Sequence, residues 1–179
     1  MFPQDGLPEI AFLGRGNVGK SSLINCLTGY RRLAFTSSTP GRTQTINFYR
    51  IDDSPIGAAF LVDLPGYGYA RVPLEQIQRW KKNIDYYLEK RESLKFSCLV
   101  LDTRRGWMPK DLELKRWLDH YGREYLVVAT KTDKLNRTEL GRGLDAIRQE
   151  GVEPLPFSAL KGRGVREIWQ AIAKTLQPR

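Results

Sequence analysis

Histidine is almost missing. His120 is the only one in 179 residues, which excludes a histidine-built metal centre and any catalytic triad that needs an imidazole base. Cysteine is nearly as scarce. Cys26 and Cys98 lie in separate apolar runs with no C-x-x-C spacing, so they read as reduced, buried thiols of a cytoplasmic protein, not as a disulfide framework or zinc site. Long hydrophobic runs are absent as well. No apolar stretch approaches the roughly 20 residues that span a bilayer, and residues 1–8 carry no signal-peptide pattern. Acidic charge is also in short supply, with 20 Asp and Glu against 29 Lys and Arg, net +9 and pI near 9.7. Such an excess points to a polyanionic partner, nucleic acid before an anionic membrane surface. A solvated basic face without a partner is the plainer alternative.

What is present is organised around Gly14-Arg15-Gly16-Asn17-Val18-Gly19-Lys20-Ser21, which fits G-x-x-x-x-G-K-[ST]. The apolar Ile10–Leu13 before it suits a short buried strand. Leu23, Ile24 and Leu27 after it recur at helical spacing. In that context the glycines let backbone N–H groups curl around a phosphate, and the helix N-terminus adds its dipole. Lys20 supplies a cation for the outer phosphates and the Ser21 hydroxyl a ligand for Mg²⁺.

The rest of the chain alternates strand-like and helix-like stretches. A long polar loop, Tyr30 to Gln44, precedes two strand patterns, 45–51 and 58–62, whose Asp52–Pro55 turn suggests a hairpin. Pro73 can open a helix, with Leu74, Ile77, Trp80, Ile84, Tyr87 and Leu88 on one face. Phe96–Leu101 and Tyr125–Ala129 read as buried strands and Val152–Phe157 as a short one. Leu114, Trp117, Leu118 and Tyr121 mark a helix, as do Leu140, Leu144 and Ile147, and then Val165, Ile168, Trp169, Ile172 and Leu176. This implies an α/β P-loop NTPase three-layer sandwich: a mostly parallel central sheet, one antiparallel edge hairpin, and helices on both faces. A single domain over 1–179 is expected, with residues 1–8 as a loose lead-in.

Two further motifs follow strands. Asp63-Leu64-Pro65-Gly66 places a carboxylate where it can hold a Mg²⁺-bound water, and a glycine whose N–H can approach a terminal phosphate. Thr130-Lys131-Thr132-Asp133 offers a carboxylate for guanine N1–H and the 2-amino group. Adenine lacks both donors and would leave that charge unpaired. Ser158-Ala159 could present a backbone N–H to guanine O6.

In this order the motifs resemble those of the translation-factor-related GTPases. Thr39-Pro40-Gly41-Arg42-Thr43-Gln44-Thr45-Ile46-Asn47-Phe48 and Asp63-Leu64-Pro65-Gly66-Tyr67-Gly68-Tyr69-Ala70 narrow the resemblance to the EngB/YihA family of bacterial ribosome-assembly GTPases. The resemblance implies a nucleotide site in five parts. Gly14, Arg15, Gly16, Asn17, Val18, Gly19, Lys20, Ser21 and Ser22 hold the phosphates. Gly41, Arg42, Thr43, Gln44 and Thr45 form the first switch, and Asp63, Leu64, Pro65 and Gly66 open the second. Thr130, Lys131, Thr132 and Asp133 read guanine, and Phe157, Ser158 and Ala159 close over the base. Lys20, Asn17, Thr43 and Gly66 carry catalysis. Ser21 and Thr43 ligate Mg²⁺, and Asp63 holds it through water. Gly16 and Arg71 depart from the Ser and Lys usual in the family.

The implied function is a cytoplasmic, monomeric GTP-hydrolysing switch that assists large-ribosomal-subunit assembly and is needed for cell division and septation, with ribosomal RNA or the large subunit as partner. Where many GTPases place a water-orienting Gln after D-x-x-G, this chain has Tyr67, so slow intrinsic turnover is expected. Asn17 can hold K⁺ beside the phosphates in compensation. The paired cations Arg31-Arg32, Lys81-Lys82, Lys90-Arg91, Arg104-Arg105 and Lys115-Arg116 suit RNA backbone contact. Two alternatives remain at this point, a P-loop kinase acting on a nucleotide or metabolite and a septation scaffold with GTP as a structural ligand.

Overall fold

The computed structural model describes residues 2–34, 45–67 and 74–176. Strand β1 (Glu9–Gly14) leads into helix α1 (Lys20–Thr28). The hairpin strands β2 (Asn47–Ile51) and β3 (Ala59–Asp63) follow, then α2 (Leu74–Lys90), β4 (Leu94–Asp102), α3 (Pro109–His120) and β5 (Tyr125–Thr130). A 3₁₀ turn over Thr132–Lys134 precedes α4 (Arg137–Arg148), β6 (Leu155–Pro156) and α5 (Val165–Leu176). The six strands form one sheet in the order β2-β3-β1-β4-β5-β6, with only β2 antiparallel to its neighbour.

Why the sheet is covered on both faces is visible in β1. Alternate residues point to opposite sides, and every residue of the strand is buried. Ile10 and Phe12 join one core with Leu23, Ile24 and Leu27 of α1 and Ile168, Trp169 and Ile172 of α5. Ala11 and Leu13 join the other with Tyr87 and Leu88 of α2, Leu118 of α3, and Leu144 and Ile147 of α4. β4 is likewise buried at every residue except Lys95, the pattern of a strand enclosed by helices. The chain leaves β1 towards β3 on one side and resumes at β4 on the other. The carboxyl ends around β1 are therefore the topological switch point where such sheets bind ligands.

Several expectations are corrected. The stretch 152–157 supplies only a two-residue edge strand, because Pro154 and Pro156 have no N–H for a ladder. The stripe expected on α3 is fully buried only at Leu118. Tyr121 is exposed and stacks on Trp117 with ring centroids 4.4 Å apart. Residues 2–8 are not loose: Phe2 packs on Phe48 and Tyr87 at centroid distances of 5.7 and 5.6 Å, and Pro8 O accepts from Phe60 N at 2.9 Å. Cys98 is buried, but Cys26 is only half-buried. Pro73 and the side chains of Leu74, Ile77 and Trp80 lie outside the described residues.

Candidate nucleotide-binding site

The Gly14–Ser21 loop turns sharply between β1 and α1. A Cβ at Gly14 would stand 2.7 Å from Val100 O and 2.9 Å from Val18 Cγ2, so no side chain fits. Gly19 caps α1 at φ 103°, in the left-handed region that glycine enters without strain. Lys20 follows as the first helical residue, its Nζ donating to Gly14 O at 3.3 Å and Arg15 O at 3.4 Å. Burial pulls the Lys20 pKa down, and the Asp63 carboxylate pulls it partly back.

Asp63 arrives at the same place from β3, where it pairs in register with Phe12 of β1. It is 2% exposed. Its Oδ2 accepts from the Ser21 hydroxyl at 3.3 Å, whereas its buried Oδ1 has no hydrogen-bond partner among the described residues. Burial raises its pKa, opposed by Lys20 and Ser21. A buried carboxylate oxygen left unsatisfied beside a hydroxyl is a donor set suited to a hydrated Mg²⁺, which takes one or two protein oxygens and fills its octahedron with water and phosphate. Thr43, the other expected ligand, lies outside the described residues together with Gly41, Arg42 and Gln44.

The D-x-x-G turn closes against the phosphate loop. A Cβ on Gly66 would fall 2.9 Å from Gly16 N, 3.0 Å from Gly16 Cα and 3.2 Å from Lys20 Nζ. Gly16 N donates to Tyr67 O at 3.3 Å. Two glycines therefore meet backbone to backbone, which accounts for a residue without a side chain at position 66. Leu64 and Pro65 are buried beneath, and Ser22 and the exposed Thr45 flank the loop end and the start of the hairpin.

The second half of the site is built on β5. The Thr130 hydroxyl lies 2.5 Å from Val18 O and 3.0 Å from Leu101 O, both backbone carbonyls. It thus ties β5 to the phosphate loop, a different role from the base contact expected for it. Lys131 Nζ reaches Asn17 O at 2.5 Å. Thr132 donates through its hydroxyl to Phe157 O at 3.1 Å. Asp133 Oδ1 accepts from the Ser158 hydroxyl at 2.7 Å, and this bond is the main cause holding its pKa below the ordinary carboxylate value. Asp133 is thereby kept as an anion at the mouth of the site. Phe157 departs from expectation, because its ring belongs to the α1–α5 core and only its carbonyl serves the site. Ala159 is exposed beside it.

Three contributors escaped the sequence reading. Asn25, on the buried side of α1, clamps Ala34: its Nδ2 donates to Ala34 O at 2.9 Å and its Oδ1 accepts from Ala34 N at 2.7 Å, anchoring the root of the long loop. Asp111 of α3 receives the Tyr67 hydroxyl at 2.5 Å. Asp102, at the end of β4, meets Lys131 at 3.2 Å. The signal for Asp102 was available, since it is an acidic residue ending a buried apolar strand, the same pattern that singled out Asp63.

The phosphate-loop half of this constellation falls within the match to a family model described as "50S ribosome-binding GTPase", which spans residues 9–131. The relative named "Probable GTP-binding protein EngB" from Solibacter usitatus (strain Ellin6076) is 76% identical over 178 residues, covering 99% of this chain and 91% of its own. The chain belongs to the EngB family of GTP-binding proteins. A second EngB relative, from Koribacter versatilis (strain Ellin345), is 49% identical over 175 residues, 96% of this chain and 86% of its own. Among solved structures, an EngB crystal structure matches with TM-score 0.74 and 26% identity over 96% of this chain and 100% of that one. The Era GTPase in complex with MgGDPNP and a 16S ribosomal RNA fragment matches with TM-score 0.80 and 25% identity, over 96% of this chain and 57% of that one. The chain is a GTPase-family protein with the mostly parallel P-loop fold, and the kinase alternative falls away. No helix among the described residues is long and apolar enough to cross a membrane.

Proposed function

We propose that this protein is a cytoplasmic switch that hydrolyses GTP slowly while assisting assembly of the large ribosomal subunit, and that division and septation depend on it through that work. The observation that carries the reading is the meeting of Lys20, Ser21 and the half-satisfied Asp63 at one end of the site with the anionic Asp133 at the other. Residues suited to phosphate and to guanine stand on two loops linked by the hydrogen bond from Lys131 Nζ to Asn17 O.

In this reading the loop from Gly14 to Ser21 wraps the phosphates with backbone N–H groups, and Lys20 leaves the carbonyls of Gly14 and Arg15 to meet the outer phosphate oxygens. Ser21, Thr43 and, through water, Asp63 are the residues that hold Mg²⁺. When bound, that ion neutralises charge developing on the β- and γ-phosphate oxygens. Gly66 brings its N–H against the same region because nothing larger fits beside Gly16. Asp133 accepts from the guanine donors, and Lys131 lays its stem along the base. Tyr67 contributes no base: its hydroxyl is donated to Asp111, and burial with that carboxylate pushes its pKa well above 10.

The basic surface supports an RNA partner, but not through every pair. Arg91 is committed to the fully buried Glu9, whose Oε2 accepts from its Nε at 3.1 Å and from the Tyr87 hydroxyl at 2.8 Å. Lys115 is paired with Asp119 at 2.8 Å. The test is co-sedimentation with purified large ribosomal subunits in a non-hydrolysable GTP analogue and in GDP, at two salt concentrations, alongside Asp133→Ala. Analogue-dependent, salt-weakened pelleting, with GTP-over-ATP preference lost in Asp133→Ala, is expected. Absence of pelleting in both nucleotide states would refute the ribosomal half.

A further inference from the structure

Lys131 is held by a residue that no nucleotide motif contains. Asp102 ends β4 in direct register with Thr130 of β5, so its side chain emerges beside Lys131. Although only 4% exposed, it is fully partnered. Arg104 wraps one side, with its backbone N and its Nε each 3.0 Å from Oδ1 and its Nη2 2.7 Å from Oδ2. Lys131 Nζ sits 3.2 Å from Oδ2 on the other side. The same ammonium donates to Asn17 O at 2.5 Å, so one side chain links the end of β4, the Thr130–Asp133 loop and the phosphate loop.

The backbone makes the link informative. Among the described residues, Asn17 at φ 61° and Lys131 at φ 59° are the non-glycine residues with positive φ, and this hydrogen bond joins them. Left-handed conformations of this kind are unfavourable by about 1 kcal/mol or more and persist where surroundings over-determine them. Lys has a flexible four-carbon stem carrying about 2 kcal/mol of rotamer entropy. A free Lys131 would have to be ordered on each binding event, and pre-ordering removes that loss from the affinity.

We propose that Asp102, braced by Arg104, is a positioning residue that fixes Lys131 between the guanine-reading loop and the phosphate loop and thereby sets guanine-nucleotide affinity. The inference rests on the reading of Thr130–Asp133 as that guanine-reading loop. Asp102 itself touches no nucleotide; it acts through Lys131.

The experiment is equilibrium titration of the full chain with GDP and ADP, using Asp102→Asn, Lys131→Ala and the double variant. Asp102→Asn should weaken GDP about tenfold, the size of a lost charge-assisted hydrogen bond, with the preference for GDP over ADP retained because Asp133 is intact. The double variant should bind no worse than Lys131→Ala alone, since the two side chains act as one unit. Additive losses, or full affinity in Asp102→Asn, overturn the proposal. Should Asp102→Asn fail to fold, Arg104→Ala removes a half-exposed brace; about a two- to fivefold loss that vanishes in the Lys131→Ala background is then expected, and a loss that persists there overturns the proposal. A wild-type chain that binds ADP as well as GDP, or an Asp133→Ala chain that keeps the GDP preference, would overturn the guanine reading and the proposal with it. Additivity or full affinity alongside intact guanine preference overturns the proposal alone.

Discussion

Replacing Tyr67 by Phe separates structure from catalysis at the position where many GTPases orient the attacking water. The Tyr67 hydroxyl is 2.5 Å from Asp111 Oδ1. Asp111 is itself 2% exposed, and its second oxygen accepts from Met108 N at 2.9 Å at the start of α3. Deleting the phenol oxygen therefore strips one donor from a buried carboxylate without changing the ring. Losing a hydrogen bond to a charged group costs about 1.5–3 kcal/mol. For a domain of this size each kcal/mol lowers Tm by about 2–4 °C, so a drop of roughly 4–8 °C follows from a central loss of about 2 kcal/mol. The steady-state rate of GTP hydrolysis in saturating GTP and Mg²⁺ should stay within about twofold, because a phenol with a pKa pushed up by burial and by Asp111 is no base at working pH.

The pH dependence has a definite sign. Burial raises the folded-state pKa of Asp111, and the Tyr67 hydrogen bond opposes that rise by stabilising the charged form. Without the hydroxyl the folded pKa climbs further above its unfolded value. The variant's deficit is then full at neutral pH and shrinks as pH falls through the raised folded pKa, where Asp111 is protonated with or without its donor. Thermal melts of both chains across acidic to neutral pH measure this. A tenfold loss of rate with an unchanged Tm would refute the argument and make the phenol catalytic.

Other expectations follow from the same geometry. Asp63→Asn should raise the Tm of the nucleotide-free protein by a few degrees near neutral pH while abolishing Mg²⁺-enhanced GTP affinity. Burial raises the Asp63 pKa, so the wild-type carboxylate draws stability down as pH rises through its folded pKa, and the gap between the two chains should open from about pH 4 upward and then level off. Hydrolysis should run faster in K⁺ than in Na⁺, and Asn17→Ala should erase the difference; equal wild-type rates in the two salts would sink a cation role at Asn17. Arg91→Ala should cost about 3–5 kcal/mol in a melt, the loss expected for orphaning a buried partner, here Glu9. A change within 1 °C would show that the pair contributes little.

Much of the fold could be read from the sequence because each central strand is apolar on both faces, and each helix shows a stripe at 3.6 spacing. Continuous burial of β4 and the hydrophobic run Phe96–Leu101 are the same fact seen twice. The reading faltered where chemistry was local and non-periodic. Pro154 and Pro156 shorten an edge strand that hydrophobicity alone extends. Phe157 looks like a lid over a base when judged by its place beside Ser158-Ala159, yet it packs into the core. Arg91 looks like half of a surface basic pair, but its partner Glu9 is 82 residues away in sequence, and charge pairing at that separation has no linear signature. Tyr67 and Asp111 are 44 residues apart and were hidden for the same reason.

The sheet also explains why the two stretches expected to switch could act together. β3 ends at Asp63 and β2 begins at Asn47, and these two residues are register partners in the antiparallel ladder. The segment leading out of Gly41–Thr45 and the segment leading into Asp63–Gly66 therefore start from adjacent, hydrogen-bonded strand ends on the same edge of the site. Asp63 is in turn in register with Phe12 of β1, two residues before the phosphate loop. A ligand that satisfies Asp63 Oδ1 acts on a carboxylate whose backbone is tied to both neighbours, so its effect reaches the root of the first loop through one ladder and the entry to the second through the chain itself. No longer relay is required. By this argument, weakening the ladder on the β2 side, with Tyr49→Pro removing the backbone N–H that faces Leu61 in the ladder, should loosen the dependence of ribosomal-subunit binding on which nucleotide is bound before it affects GDP affinity. GDP affinity lost in parallel with that dependence would refute the separation.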